Sequence, residues 1–300
     1  MISAAGPATS PRPYVPEVLR WVAGPFSFEL SSTHPKVLAR AREVFGPWLN
    51  GSTHRGPSRA RYVVEAEEGS QGVHWRVTRN GVSESTFAES IDLALAAIEY
   101  GTIAELFAPD SDIVSLHAAL LSWNDRGVLL VGPKESGKST LACALLGAGW
   151  RLHSDDTALI EAGPRARGIP RRVSLRASSR ELLGVGTWDR ILGLPGTTGT
   201  RAGVLFHPAE GWPGETPSSV VPAAAILLAR RGACPGRARL QPLDAGHALV
   251  ALAPYCNRRE AGIGHALEAL QPLADRARAF DLGRGDLAAM TARVAEAVGA

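Results

Sequence analysis

The run Gly132-Pro133-Lys134-Glu135-Ser136-Gly137-Lys138-Ser139-Thr140 follows the apolar tetrapeptide Val128-Leu129-Leu130-Val131 and leads into a segment of helical character. A G-x-x-x-x-G-K-S spacing between a strand and a helix is that of a phosphate-binding loop. Gly132 and Gly137 let the backbone curl so that successive N–H groups face phosphate oxygens. The helix start adds partial positive charge. All nine residues from Gly132 to Thr140 form the expected nucleotide-binding set. Within it, Lys138 is expected to act catalytically on the β- and γ-phosphates, and the Ser139 hydroxyl to ligate Mg²⁺. The implied cofactors are ATP and Mg²⁺, although no base-reading motif separates ATP from GTP. Apart from Lys36, only Lys134 and Lys138 are lysines among the 32 Lys and Arg residues. A lysine retained in so arginine-rich a chain suits a site that needs a compact ammonium.

Two further features point the same way. Asp155-Asp156 follows the tetrapeptide Arg151-Leu152-His153-Ser154. That tetrapeptide is expected to return as a strand beside the strand of the glycine loop, placing both carboxylates near a γ-phosphate. Paired carboxylates suit a division of labour, one holding metal and the other accepting a proton from an attacking hydroxyl. The plainer alternative is a surface turn with two solvated acids. His117, in Leu116-His117-Ala118-Ala119-Leu120, is the third element. On an apolar strand it is either a hydrogen-bonded core histidine or a group that orients one of the acids and tunes its pKa.

Together, His117-Ala118-Ala119, the glycine loop and Gly149-Trp150-Arg151-Leu152-His153-Ser154-Asp155-Asp156 resemble the kinase domain of the HPr kinase/phosphorylase family. That family's fold is similar in turn to phosphoenolpyruvate carboxykinase. The resemblance covers residues 113–160. It implies an α/β P-loop kinase domain of that type, with His117, Lys138 and Asp155 catalytic and Ser139 and Asp156 at the metal. Asp155 is expected to be the base toward a substrate serine, and Asp156 to lie nearer the metal. The family's metal-binding glutamate within an Ile-Arg-Gly segment is missing. Pro170-Arg171-Arg172-Val173-Ser174-Leu175-Arg176 and then Glu181 stand there instead. HPr as substrate and the reverse phosphorolysis therefore do not carry over. At subfamily level the chain resembles kinases found with ribosomally made peptides, including lasso-peptide precursor kinases.

The expected activity is ATP- and Mg²⁺-dependent transfer of the γ-phosphoryl group to a serine or threonine hydroxyl of a peptide or small protein. A small-molecule hydroxyl kinase on the same scaffold is one alternative. A nucleotide-binding switch without acceptor chemistry is another. Oligomers are common in the resembling family, which implies a homo-oligomer without fixing its number of subunits.

These residues need elements to hold them. Residues 1–110 are expected to form a small α+β module suited to substrate recognition, and 111–300 the catalytic domain. The first 25 residues read as an extended Pro-rich arm. Strands are expected over 26–31, 61–67, 74–78 and 82–87, with a hairpin turn at Arg79-Asn80-Gly81. Helices are expected over 34–49, capped by Thr33, and over 91–107, capped by Ser90. Further on, strands are expected over 113–122, 127–131, 151–154, 157–161, 173–175, 223–229 and 248–252, and helices over 139–146, 261–279 and 286–298. Residues 193–219 read as irregular, and His207 there could line a lid. Arg171, Arg172 and Arg176 read mainly as solvated arginines, with a charge-stabilising role near phosphate as the alternative. Tyr255 reads as a core or exposed tyrosine or a stacking partner for adenine. Arg258-Arg259 reads as surface.

Composition bounds the partners. The 300 residues are 45% hydrophobic and 20% charged, with net charge +3. That suits a globular chain and gives no electrostatic case for nucleic acid. No apolar run approaches the roughly 18 residues of a membrane span, and Met1 to Pro16 has no signal-peptide pattern. Cys143, Cys234 and Cys256 make neither a disulfide framework nor a metal spacing. A reduced, cytoplasmic location is expected.

Overall fold

A computed structural model describes residues 17–49, 58–69, 72–81, 86–108, 113–208, 219–228, 238–257 and 263–299. In chain order the elements are β1 (Val18–Ala23), β2 (Phe26–Ser31), α1 (Pro35–Leu49), β3 (Ser58–Gly69), β4 (Gly72–Arg79), β5 (Thr86–Ala88) and α2 (Ile91–Leu106). There follow β6 (Val114–Leu116), β7 (Ala118–Trp123), β8 (Arg126–Val131), α3 (Lys138–Gly147), β9 (Arg151–Ser154), β10 (Ala158–Ile160), β11 (Ala166–Gly168), β12 (Val173–Arg176), α4 (Ser179–Leu183) and α5 (Val185–Leu192). The last are β13 (Thr198–Thr200), β14 (Gly203–Phe206), β15 (Ser219–Val220), β16 (Pro222–Leu228), β17 (Leu240–Leu243), α6 (Ala245–Leu252), α7 (Ile263–Arg276), β18 (Arg278–Leu282) and α8 (Leu287–Val298). The molecule is mixed α/β, with several sheets and eight helices among the described residues.

The N-terminal sheet runs β1-β2-β3-β4-β5 and is antiparallel except between β2 and β3. Strand alternation buries Trp21, Phe28, Leu30, Tyr62 and Val64 against α1 and α2. In α1 the buried set Val37, Leu38, Ala41, Val44, Phe45 and Trp48 recurs at helical spacing, one stripe facing the sheet. Ser90 caps α2 by accepting the Leu93 N–H at 3.2 Å.

The largest sheet beyond this unit has the order β17-β18-β16-β8-β7-β9, with β18, β16 and β8 parallel. Val128 to Val131 of β8 are all fully buried, as a continuous apolar run in a central strand must be. One face packs on α3 and α8, the other on α6 and α7. The turn from β7 to β8 is Asn124-Asp125, with φ of 45° and 62°. Both central residues of a type I′ hairpin need positive φ. A four-stranded sheet, β15-β11-β10-β6, and a three-stranded one, β12-β14-β13, complete the fold.

Several expectations change. Residues 18–23 of the expected arm form β1, because they pair along their whole length with β2; residues 1–16 lie outside the described residues. At the start of α1, Ser32 rather than Thr33 supplies a hydroxyl, accepting the His34 N–H at 3.1 Å. Residues 113–122 are not one strand. They break at His117 into β6 and β7, which belong to different sheets. β9 returns beside β7, not beside β8. Residues 248–252 belong to helix α6, because Asp244 caps that segment through the His247 N–H at 2.8 Å. A short apolar run is ambiguous by period alone. The expected final turn of α7 is the start of β18, which pairs in parallel with β16. Residues 193–219 contain β13 and β14, which pair with each other, and β14 also pairs with β12. The expected domain boundary, the loop 50–57, residues 82–85, Cys234 and Arg258-Arg259 all fall wholly or partly outside the described residues.

Close backbone approach fixes where β11 lies over β9. A β-carbon on Gly168 sits 2.2 Å from the His153 carbonyl oxygen, so only glycine fits there. Gly168→Ala is expected to push β11 from β9 and cost about 1–3 kcal/mol or more. Chemical denaturation checks this; a variant as stable as the parent argues that the two strands separate freely.

Candidate functional site

The site forms where the chain twice crosses between the four-stranded and the six-stranded sheet, from β6 into β7 and from β9 into β10. β6 pairs with β10 and β7 pairs with β9, Leu116 opposite Ala158 and Leu120 opposite Ser154. Both passages between sheets therefore lie side by side. His117 occupies the first and Asp155-Asp156 the second. The Ser154 hydroxyl donates to the Thr157 carbonyl at 2.5 Å and closes the bend around the two acids.

The glycine loop lies between β8 and α3. Glu135 and Gly137 have φ of 69° and 99°, the left-handed conformations that curl the segment. A β-carbon on Gly132 meets Ser136 Oγ at 2.9 Å and the Leu228 carbonyl at 3.1 Å, so position 132 has no room for a side chain. Lys138 opens α3 and is nearly buried. Its ammonium is held by the carbonyls of Gly132 at 2.8 Å and Pro133 at 3.1 Å, and by His117 Nε2 at 3.0 Å.

An ammonium has no lone pair to offer, so His117 Nε2 must be the acceptor in that contact. The proton of the neutral imidazole then sits on Nδ1, which faces Asp156 Oδ1 at 3.2 Å. Burial depresses the His117 pKa; Asp156 opposes that and Lys138 adds to it. Burial also lowers the Lys138 pKa, against the pull of Asp156 and Asp155. Lys138, His117 and Asp156 form a continuous polar chain. Arg171 Nη1 extends it, 3.5 Å from Asp156 Oδ2.

Asp155 stands apart from that chain. It is 3% exposed, against 41% for the Asp156 side chain. Its Oδ2 accepts the Ser139 hydroxyl at 3.0 Å and the Ser174 N–H at 3.4 Å. Its Oδ1 is buried with no hydrogen-bond partner. A buried carboxylate oxygen left open beside a serine hydroxyl fits a divalent cation. No trio of His, Cys, Asp or Glu among the described residues makes a metal cage.

The structure brings His117, Lys138, Ser139, Asp155 and Asp156 together. Other predicted loop residues face elsewhere. Lys134 is exposed. Glu135 pairs with Arg176 at 2.5 Å, and the Thr140 hydroxyl turns to Ser179 at 2.9 Å. Arg172, expected in solvent, is 1% exposed and bonded to Glu99. His207 is buried with Nε2 on the Val44 carbonyl at 2.6 Å, its pKa pushed down by burial to about 4, so it lines no open lid. Tyr255 contributes its carbonyl, which accepts the His117 N–H at 2.8 Å. Arg284, which the sequence did not single out, reaches the Ser136 carbonyl at 3.5 Å from the chain after β18. No local pattern marks it, because only the neighbouring of β18, β16 and β8 brings it to the loop.

No protein-family model matches the chain, and no curated protein matches it.

Burial, reinforced by Asp156, pushes the Asp155 pKa up to about 6, against the Ser139 hydroxyl, Arg171 and the Ser174 N–H. An unfolded aspartate titrates near 3.9. The folded state therefore holds its proton more tightly. This favours folding at low pH and is lost as pH rises from about 4 through about 6. At pH 7 the ionised group costs about 3 kcal/mol. Nucleotide-free Asp155→Asn is expected to melt several degrees above the parent at pH 7.5, with the gap closing near pH 4.5. Calorimetry across pH checks this; a lower melting temperature at pH 7.5 would show that the charge is stabilised instead.

Proposed function

We propose that this chain is a phosphotransferase of the HPr kinase-like kind, with a P-loop kinase fold. It moves the γ-phosphoryl group of ATP to a serine or threonine hydroxyl of a peptide or small protein. One observation carries the reading. A glycine loop at the carboxyl end of a parallel strand faces two adjacent carboxylates in different surroundings, one buried on Ser139 and one open beside His117. Ligands of α/β sheets bind at such strand ends.

The contacts support a division of the carboxylates opposite to the sequence expectation. Asp155, with Ser139, is the metal-side acid. Ser139 and Asp155 would hold Mg²⁺, which would supply positive charge to offset that of the phosphate. Asp156, half exposed and held by His117 and Arg171, is the acid that meets the acceptor. It orients the attacking hydroxyl and takes its proton as the new oxygen–phosphorus bond forms. The bond to the β-phosphate oxygen breaks, and ADP leaves. Lys138 exchanges its internal acceptors for phosphate oxygens, and the loop N–H groups hold the same charge. Ser or Thr acceptors fit because the transfer asks only for orientation and removal of one hydroxyl proton.

Asp156→Asn is expected to slow transfer by about 10²-fold or more while changing Mg-ATP affinity by no more than about threefold. Asp155→Asn is expected to weaken Mg²⁺-dependent nucleotide binding itself. Lys138→Ala is expected to abolish transfer. Transfer of label from γ-labelled ATP into a size-fractionated host lysate, beside calorimetric ATP binding, checks all three. Label in the peptide or protein fraction supports the acceptor class. Label on a metabolite moves the assignment to a small-molecule kinase, and ATP binding without any transfer to a switch. The reverse pattern for the two aspartates restores Asp155 as the base.

A further inference from the structure

Residues 169–174 join the N-terminal unit to the site. Ile169 is buried in that unit's own core. The Pro170 carbonyl accepts the indole N–H of Trp48 from α1. Arg172 is locked to α2: its backbone N–H meets Glu99 Oε1 at 2.7 Å and its Nε meets Oε2 at 2.9 Å. Its Nη1 adds Thr198 Oγ1 at 2.8 Å. Both side chains of the Arg172–Glu99 pair are almost wholly out of water, 0% and 6% exposed.

With Arg172 fastened on the N-terminal unit, the residue next to it, Arg171, reaches Asp156 Oδ2 at 3.5 Å. Three residues on, the Ser174 N–H meets Asp155. One short stretch thus touches both acids while its other side is anchored in the first sheet and its helices. Asp156 has His117 on one oxygen and Arg171 on the other. Without the guanidinium, one oxygen of a half-exposed aspartate loses its partner and the carboxylate is free to turn toward water.

We propose that Arg171 is a positioning residue for Asp156, and that the N-terminal unit sets its place through the buried Glu99–Arg172 pair. This rests on the phosphoryl-transfer reading above. The N-terminal unit is then part of the transfer apparatus and not only a surface for recognising an acceptor.

The test uses the full chain, Mg²⁺ and γ-labelled ATP, with both host lysate and water as acceptors. Arg171→Ala is expected to lower kcat by about tenfold or more with KM for ATP and ATP affinity unchanged within about threefold, and Arg171→Lys to regain part of the loss. Glu99→Gln, which touches neither nucleotide nor Asp156, is expected to show the same loss in kcat alone. Glu99→Gln leaves Arg172 buried with its charge uncompensated and is vulnerable to misfolding. Thr198→Val is therefore measured beside it, with a smaller loss in kcat expected and folding verified by circular dichroism. A kcat for Arg171→Ala within about twofold of the parent overturns the positioning role, as does a loss confined to ATP affinity. A folded Thr198→Val with unchanged kcat overturns the clamp. Parent protein that binds Mg-ATP yet moves no label to lysate or water overturns the transfer reading itself and this inference with it.

Discussion

A nearly buried ammonium has to be surrounded by acceptors, and Lys138 imposes that demand on the whole site. Its three partners come from two places in the chain: the carbonyls of Gly132 and Pro133 in its own loop, and the imidazole of His117. For His117 to reach it, the chain must break between β6 and β7 at the right level. The break is held on its other side by the Tyr255 carbonyl. An unmet donor at this depth would cost the desolvation of a charge, several kcal/mol at least. The curl of the loop, the break at His117 and the neutral tautomer of its ring all follow from satisfying one cation.

The same passage between sheets explains why two adjacent aspartates behave differently. The bend between β9 and β10 turns one carboxylate inward, under Ser139 and the start of β12, and leaves the other at the rim beside His117. Burial then separates their chemistry. Asp155 is pushed up by loss of water and keeps an open oxygen. Asp156 stays wet and has two cationic or polar neighbours. Paired titratable groups in unlike surroundings are a recurring way of dividing acid, base and metal work at one pH.

The two halves of the molecule are joined by charge as well as by packing. Isolated buried ion pairs seldom add stability, because desolvation offsets attraction. Here Glu99 and Thr198, from different elements, hold Nε and Nη1 of the Arg172 guanidinium while its Nη2 is buried without a hydrogen-bond partner, so the contacts fix orientation more than they add strength. Trp48 to Pro170 and His207 to Val44 lie across the same junction. Leu159 and Ile169, from beyond the first helix pair, complete the N-terminal core.

Much of this was legible in the chain. The glycine spacing after an apolar tetrapeptide marked the loop and helix α3, because both depend on neighbouring residues alone. Ser90 marked the start of a helix, since a cap is local chemistry. The types of residue at the site, a lysine, a serine, a histidine and two aspartates, could be picked out one by one. What the sequence could not decide was which strand neighbours which. β9 lies beside β7, β12 comes from a stretch with weak strand character, and Arg284 arrives from the far end of the chain, all through pairings between distant residues. The order of the strands turned two aspartates, alike in sequence, into one buried and one open acid. It also made a surface-looking arginine, Arg172, the buried link between the two halves. Local periodicity carries no record of such contacts, because their free energy comes from burial and partners that exist only once the chain has closed on itself.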